Sequence, residues 1–175
     1  DYSSADYYYV NKSSLPKVYG GFNTSLSWKG FDLSAIFAYS IGGYIYNRDI
    51  TMILHNGSLE GRDWSTEILR RWTPDNRYTD VPALSTTSNN WNSASTRFLQ
   101  NNSYMRLKNL TLSYNLPKQW ISKLSLSSVQ VYVQGDNLFT IHRNQGLDPE
   151  QGITGITYYR YPAMRTIPEG SMFLS

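Results

Sequence analysis

Cysteine is missing from all 175 residues, and that absence removes disulfide frameworks, thiolate metal sites and cysteine nucleophiles together. Long apolar runs are missing too. No stretch approaches the roughly 18 consecutive apolar residues that a spanning helix requires, and the opening "DYSSADYYYV" has neither a basic start nor an apolar signal core. Helical membrane proteins are thereby excluded, whereas β-barrels are not, because their strands carry only a weak alternating signal. Charge is sparse: 17% of residues, 16 basic against 13 acidic for a net charge of +3, with no cluster of Lys and Arg to serve as a nucleic-acid footprint. We expect no nucleic-acid partner. The missing start methionine and signal suggest a piece cut from a longer chain.

Rings are abundant instead. Aromatics make up 15% of the chain, 15 of them Tyr, which is a strand-rich profile. Residues 1 to 16 read as a polar loop ending at Pro16. From 17 to 28 the parity is clean, with Val18, Phe22, Leu26 and Trp28 on one face and Tyr19, Asn23, Ser25 and Ser27 on the other. "WKGF" supplies a tight turn, and Phe31, Leu33, Ala35, Phe37, Tyr39 and Ile41 resume the alternation, so the two runs form a hairpin. Each run is about 11 residues, against the usual 5 or 6, and matches the length of a spanning β-strand.

Residues 47 to 97 form a long connection with one expected short helix at "RDWSTEILRRW". A third strand follows in "SYMRLKNLTLSYNLP", its parity breaking near Lys108-Asn109 as at a bulge or at the point where the strand leaves the apolar layer. "LPKQWISKLSLS" suits a turn with one helical turn in it, and "SVQVYVQGDNLFTI" suits a fourth strand with a second irregularity after Gly135. A loop over 142 to 163 precedes a terminal strand over 164 to 175, which Pro168 interrupts. Short connections all fall at one end of the strands and long ones at the other, as in barrels with short periplasmic turns and longer extracellular loops. On that reading Phe22, Leu26, Leu33, Phe37, Leu110, Leu112, Tyr114, Val129, Val131 and Val133 face lipid, while Thr111, Ser113 and Asn115 face the lumen. Trp28, Trp120, Tyr39, Tyr44, Tyr46 and Tyr114 then form interfacial girdles at strand ends, a reading favoured there over stacking on sugars.

The same alternation would suit a soluble secreted β-sandwich or carbohydrate-binding module, with the apolar face turned onto a second sheet. Strand length and the one-sided short turns favour the barrel.

Catalytic chemistry is hard to find. His55 and His142 lie far apart in no metal-ligand spacing and read as surface loop residues. Asp148 and Glu150 in "GLDPE" flank Pro149, which suits a turn or a loop-anchoring salt bridge better than the separation of about 5 Å or more between the carboxyls of a glycosidase. No nucleophile elbow or phosphate-cradling glycine loop appears. We expect no enzyme, metal or cofactor. Trp91, Tyr158, Tyr159 and Arg97, in predicted outer loops, are candidates for contact with a ligand, and packing within the loops accounts for the rings equally well. Arg97, Arg106 and Lys108 could equally hold lipopolysaccharide phosphates, line a lumen or bond to neighbouring loops.

"LPKVYGGFNTSLSWKGFDLSAIF", "SYMRLKNLTLSYNLPKQWISKLSLSSVQVYVQGDNLFT" and "GLDPE" followed by "YPAMRT" closely resemble the C-terminal barrel strands of SusC/RagA-type TonB-dependent outer-membrane transporters of Bacteroidetes. The likeness runs from Leu15 onward and is weakest over 47 to 97. Its motif positions are Arg106, Leu107, Lys108, Asn109, Leu116, Pro117, Asn137, Leu138, Asp148, Pro149, Glu150, Pro162 and Arg165, to which the resemblance assigns structural roles. It implies an all-β fold: antiparallel strands forming the C-terminal part of a transmembrane β-barrel, with long extracellular loops and one short loop helix. The family barrel has about 22 strands around a plug, so residues 1–175 would be a single partial domain of about five strands, without the plug or the remaining strands. The implied location is the outer membrane as a multi-pass barrel, in contact with its lipid. Further implied are a SusD-like surface lipoprotein as lid, which Trp91, Tyr158, Tyr159 and Arg97 could meet, TonB contact through a missing N-terminal region, and import of glycans or peptides. The chain departs from the family at "RTIPEGSMFLS", where such barrels end on an alternating strand with a terminal aromatic.

Overall fold

A computed structural model of the chain describes all residues except 1–6, 56, 58, 60, 86–90, 123–126, 147, 151–154, 157–160, 169, 170 and 175, with the backbone alone at 171–174. Seven strands, two short α-helices and two 3-10 turns occur among the described residues. They are β1 (Pro16–Trp28), β2 (Phe31–Gly42), β3 (Tyr44–Tyr46), α1 (Arg48–Ile53), β4 (Leu99–Asn101), β5 (Tyr104–Asn115), α2 (Lys118–Ile121), β6 (Val129–His142) and β7 (Ser171–Leu174), with 3-10 turns at Thr66–Arg70 and Thr96–Phe98. They fall into two compact units. One comprises Asp1–Leu15, Gly43–Asn101 and Gln151–Arg160, and the other Pro16–Gly42, Asn102–Glu150 and Tyr161–Ser175.

The second unit is built on a five-stranded antiparallel sheet in the order β1-β2-β5-β6-β7. Its first hairpin closes through Lys29 and Gly30, both at positive φ (47° and 88°), the backbone that two-residue hairpin turns need to follow strand twist. Trp28 then pairs with Phe31, Leu26 with Leu33 and Phe22 with Phe37. Across the next ladders Leu33 meets Leu112, and Leu112 meets Val133, so one parity of all four long strands is apolar.

That parity survives its own interruption. Asn109 pairs with Asp136 but Leu107 pairs with Phe139, so Lys108 lies opposite two residues, Asn137 and Leu138. Against β2 the same Lys108 is the extra residue, between the pairs Ile36–Asn109 and Phe37–Leu107. An extra residue in a period-2 strand swaps its faces. Leu107 and Met105 are thus returned to the apolar face and Arg106 to the polar one. Asn137 accommodates the kink at φ 53°, a left-handed conformation that Asn tolerates better than most residues.

Among the described residues the sheet does not close. β1 carries a free outer edge along 13 residues, and at the other side β7 covers only Val129 to Tyr132 of β6. Barrels close their sheet through paired first and last strands, and about eight are needed to leave a packable interior. This open sheet overturns the expectation that the chain forms a transmembrane β-barrel, and with it the description of its strands as transmembrane and of the chain as a multi-pass outer-membrane barrel. The interfacial girdle falls with the barrel: Tyr44 and Tyr46 lie in β3, which belongs to the other unit. No helix among the described residues is long and apolar enough to cross a membrane. A sandwich is not formed either, since within this unit no second sheet covers the apolar face among the described residues. The expected terminal strand is reduced to Ser171–Leu174, with Thr166 making an isolated bridge to Asp136. Pro168, which lacks an N–H, lies between the two.

The first unit holds its own small core of Ile45, Leu54, Ile68, Val81 and Phe98. β3 and β4 pair as a two-stranded ribbon, and the fully buried Asn47 caps α1 by accepting from Ile50 N at 3.0 Å. The helix expected at "RDWSTEILRRW" shrinks to the Thr66–Arg70 turn, capped by Ser65, because Thr73-Pro74 forces the chain into extended geometry just beyond it. α1 leaves little trace in sequence because six residues give less than two helical turns of pattern.

Candidate functional site at a buried arginine

In register, Ala38, Arg106 and Thr140 lie side by side on the polar face of β2, β5 and β6. Arg106 is only 4% exposed, and a charge so far from water persists only with close partners. It has three. Nε donates to Thr140 Oγ1 at 2.9 Å, Nη1 to Glu150 Oε2 at 2.6 Å and Nη2 to Asp148 Oδ1 at 2.5 Å. Lys108 Nζ adds a second cation to Glu150, 2.5 Å from Oε1.

The carboxylates in turn organise the loop. Asp148 Oδ1 also accepts from Glu150 N at 3.0 Å, and Oδ2 accepts from Ala163 N at 2.7 Å. One side chain thereby ties together the strand, the "DPE" turn and the returning segment at 161–166. Burial alone would push the Asp148 carboxyl up, but the Ala163 N–H, the Arg106 guanidinium and the Glu150 N–H together hold it below the ordinary carboxylate value. Beside this knot, Asn102 Nδ2 donates to Pro149 O at 2.9 Å and Asn144 Nδ2 to Asn102 Oδ1 at 3.2 Å. His142 Nδ1 lies 2.8 Å from Asn144 O and must be the protonated nitrogen there, since a carbonyl only accepts. An open hollow of about 350 Å³ adjoins the cluster, bounded in part by Arg106, Asn137, Thr140, His142, Asp148 and Arg165.

The other motif residues are distributed around this centre. Asn109 Nδ2 donates to Asp136 Oδ1 at 2.7 Å, Asn137 Nδ2 to Met164 O at 3.3 Å, and Leu116 N to Val129 O at 3.0 Å. Pro117 precedes α2 as its cap, Leu138 packs where a side chain on Gly135 would stand, and Pro162 lines the hollow. Of the residues read as lipid-facing, Phe22, Leu26, Leu33, Leu112, Val131 and Val133 are exposed, Phe37, Leu110 and Tyr114 half-buried and Val129 buried. Phe22 and Phe37 stack with ring centroids 4.7 Å apart.

The loop candidates do not join the cluster. In the first unit the Arg97 guanidinium carbon sits 3.3 Å over the Trp91 ring centroid. Burial pushes the Arg97 pKa down, with Asp80 and Glu67 opposing. Tyr158 and Tyr159 lie outside the described residues. His55, read as a surface residue, is fully buried: its Nδ1 accepts from Trp64 Nε1 at 3.0 Å and from Leu59 N at 3.4 Å, and its Nε2 has no hydrogen-bond partner. Sequence reasoning passed over Thr140 and Asn144 and read His142 as a surface loop residue, whereas it closes β6. The parity of β6 was the available signal for Thr140 and His142, since both alternate with Phe139 and Ile141.

Both carboxylates are neutralised by cations, and no group of metal-ligating side chains occurs among the described residues. What the arrangement does is hold a loop to a sheet.

No protein-family model matches the chain. It is 34% identical over 161 residues to TonB-dependent receptor P3 of Formosa agariphila, covering 86% of this chain and 15% of that protein. TonB-dependent receptor P26 of the same organism is 30% identical over 177 residues (95% and 18%), and TonB-dependent receptor SusC of Bacteroides thetaiotaomicron 28% over 159 residues (90% and 15%). Among solved structures, the RagAB peptide importer matches in its closed-closed state with a TM-score of 0.85 at 34% identity, covering 99% of this chain and 19% of that one. Its open-open state gives 0.85 at 35% identity over 100% and 19%. The chain thus spans less than a fifth of each relative's length. These relatives are named as TonB-dependent receptors and as a peptide importer. By sequence and by fold together, it belongs to the SusC/RagA-type family of TonB-dependent transporters.

Proposed function

We propose that the chain supplies the C-terminal portion of a SusC-like importer of glycans or peptides, which works with a SusD-like surface lipoprotein and draws on TonB through regions outside this sequence. The observation that carries this reading is its near-complete superposition on the RagAB importer, with a TM-score of 0.85 against both the closed-closed and the open-open state. A segment that fits two states equally well suits a fixed wall against which other parts move. The Arg106 knot serves that role, since a buried arginine with three partners resists the loop displacement that a moving neighbour would impose. The apolar parity from Phe22 to Val133 is read as the side that meets apolar surroundings in the whole receptor. Trp91, Arg97, Tyr158 and Tyr159 stand as candidate contacts to ligand or lid.

The test is uptake of labelled oligosaccharides and labelled peptides by cells carrying the full receptor and its partner lipoprotein, with and without TonB. Accumulation of one class that depends on TonB is expected. Uptake indifferent to TonB, or of neither class, overturns the proposal.

A further inference from the structure

The hollow beside the Arg106 cluster has an uneven charge balance. Asp148 is engaged by Arg106, and Glu150 by Arg106 and Lys108, so these four charges cancel in pairs. Asp136, adjacent to the lining residue Asn137, has its Oδ1 taken by the Asn109 and Gln134 side-chain amides at 2.7 and 3.4 Å. Arg165 remains. It is exposed, lines the hollow, and has no ion pair among the described residues. The second opening in the lining is His142: the tautomer that commits Nδ1–H to Asn144 O presents Nε2 as an acceptor, for a hydroxyl or N–H beside the ligand's acid group and not for the acid itself. Arg106 contributes as well, because three of its five N–H groups are spent on Thr140, Glu150 and Asp148.

We propose that this hollow is a binding site for a carboxylate-bearing ligand, held through the planar fork of Arg165 and oriented by His142. A guanidinium fork matches a carboxylate bidentately, and about 350 Å³ is at the small end of ligand sites, room for one sugar ring or a peptide terminus and little more. Two sources share this chemistry, the C-terminus of a peptide and the acid group of a uronic sugar. The inference rests on the importer reading only for the idea that such ligands pass this surface. Binding itself stands or falls independently.

The experiment uses the full receptor, purified in detergent, and measures binding of an N-acetyl dipeptide with a free C-terminus, its C-terminal amide, glucuronate and glucose. At least one acid is expected to bind about tenfold more tightly than its neutral counterpart, and Arg165→Gln is expected to abolish that preference; which acid it is identifies the source. Arg165→Lys should restore only part, because an ammonium keeps the charge but not the fork. Equal binding of acid and neutral probes, no binding of any probe, or an acid preference unchanged in Arg165→Gln each overturns the site. Since uptake is scored separately, a receptor that imports without the acid preference refutes the site alone, and one that shows the preference without TonB-dependent uptake refutes the importer alone.

Discussion

Arg106 reaches three acceptors with three different nitrogens, Nε to Thr140, Nη1 to Glu150 and Nη2 to Asp148. A lysine cannot span them, so the exchange is not conservative here. Arg106→Met leaves Asp148 buried without its cation, a change that typically costs about 3–5 kcal/mol. At the lower figure the Glu150 and Ala163 amides, both held by Asp148, should exchange hydrogen about a hundredfold faster in the full receptor. Adding Asp148→Asn should recover much of that loss, since the amide oxygen still accepts from Ala163 while the stranded charge is gone; additive losses would refute the coupling. The pH response has a definite sign. The Asp148 carboxyl is held below the ordinary carboxylate value, so its contribution is fully present above that value and is lost as pH falls through the folded-state value beneath it. Proteolytic nicking at 144–166 should therefore be flat from neutral pH to about 4 and rise only in stronger acid. A rise between pH 7 and 5 would contradict the assignment.

At the scale of elements, alternation was legible where one face is apolar and the other polar. The hairpin turn at Lys29-Gly30 and the strands from 17 to 41 could be read directly, and the parity break at Lys108 announced an irregularity before any register was known. What alternation does not encode is partnership at a distance. Asp148 and Glu150 lie 42 and 44 positions from Arg106, and nothing local to either end names the other. The core of the first unit was likewise invisible, because Ile45, Val81 and Phe98 lie far apart in segments with no sustained apolar period and meet only in the folded unit. The bulge makes its own prediction. Asn137 at φ 53° tolerates Gly, whereas a β-branched residue meets the steric cost of left-handed backbone, about 1–2 kcal/mol. Asn137→Val should destabilise the β5–β6 ladder by about that much and Asn137→Gly by distinctly less, read as hydrogen exchange at Leu107 and Phe139. Equal effects of the two would mean that the kink is not held by backbone conformation.

For the molecule as a whole, the open sheet poses a physical problem: apolar side chains and an unpaired strand edge on the same surface. Phe22, Leu26, Trp28 and Phe31 are all at least 44% exposed, and β1 offers 13 residues of edge to any extended chain. Soluble monomers rarely leave apolar patches of this kind uncovered. The chain produced alone should therefore self-associate in water, sedimenting above monomer mass at micromolar concentration. Two causes are separable. Charges placed on the face, Leu26→Glu with Leu112→Lys, leave the backbone edge intact while spoiling apolar contact, and if the face is the main driver they should shift the chain substantially toward monomer. Persistence of the oligomer in that variant would assign the association to the edge. A wild-type chain that stays monomeric and melts cooperatively at tens of micromolar would show that neither needs a partner, and the proposal that this segment serves as the wall of a larger importer would lose its physical basis.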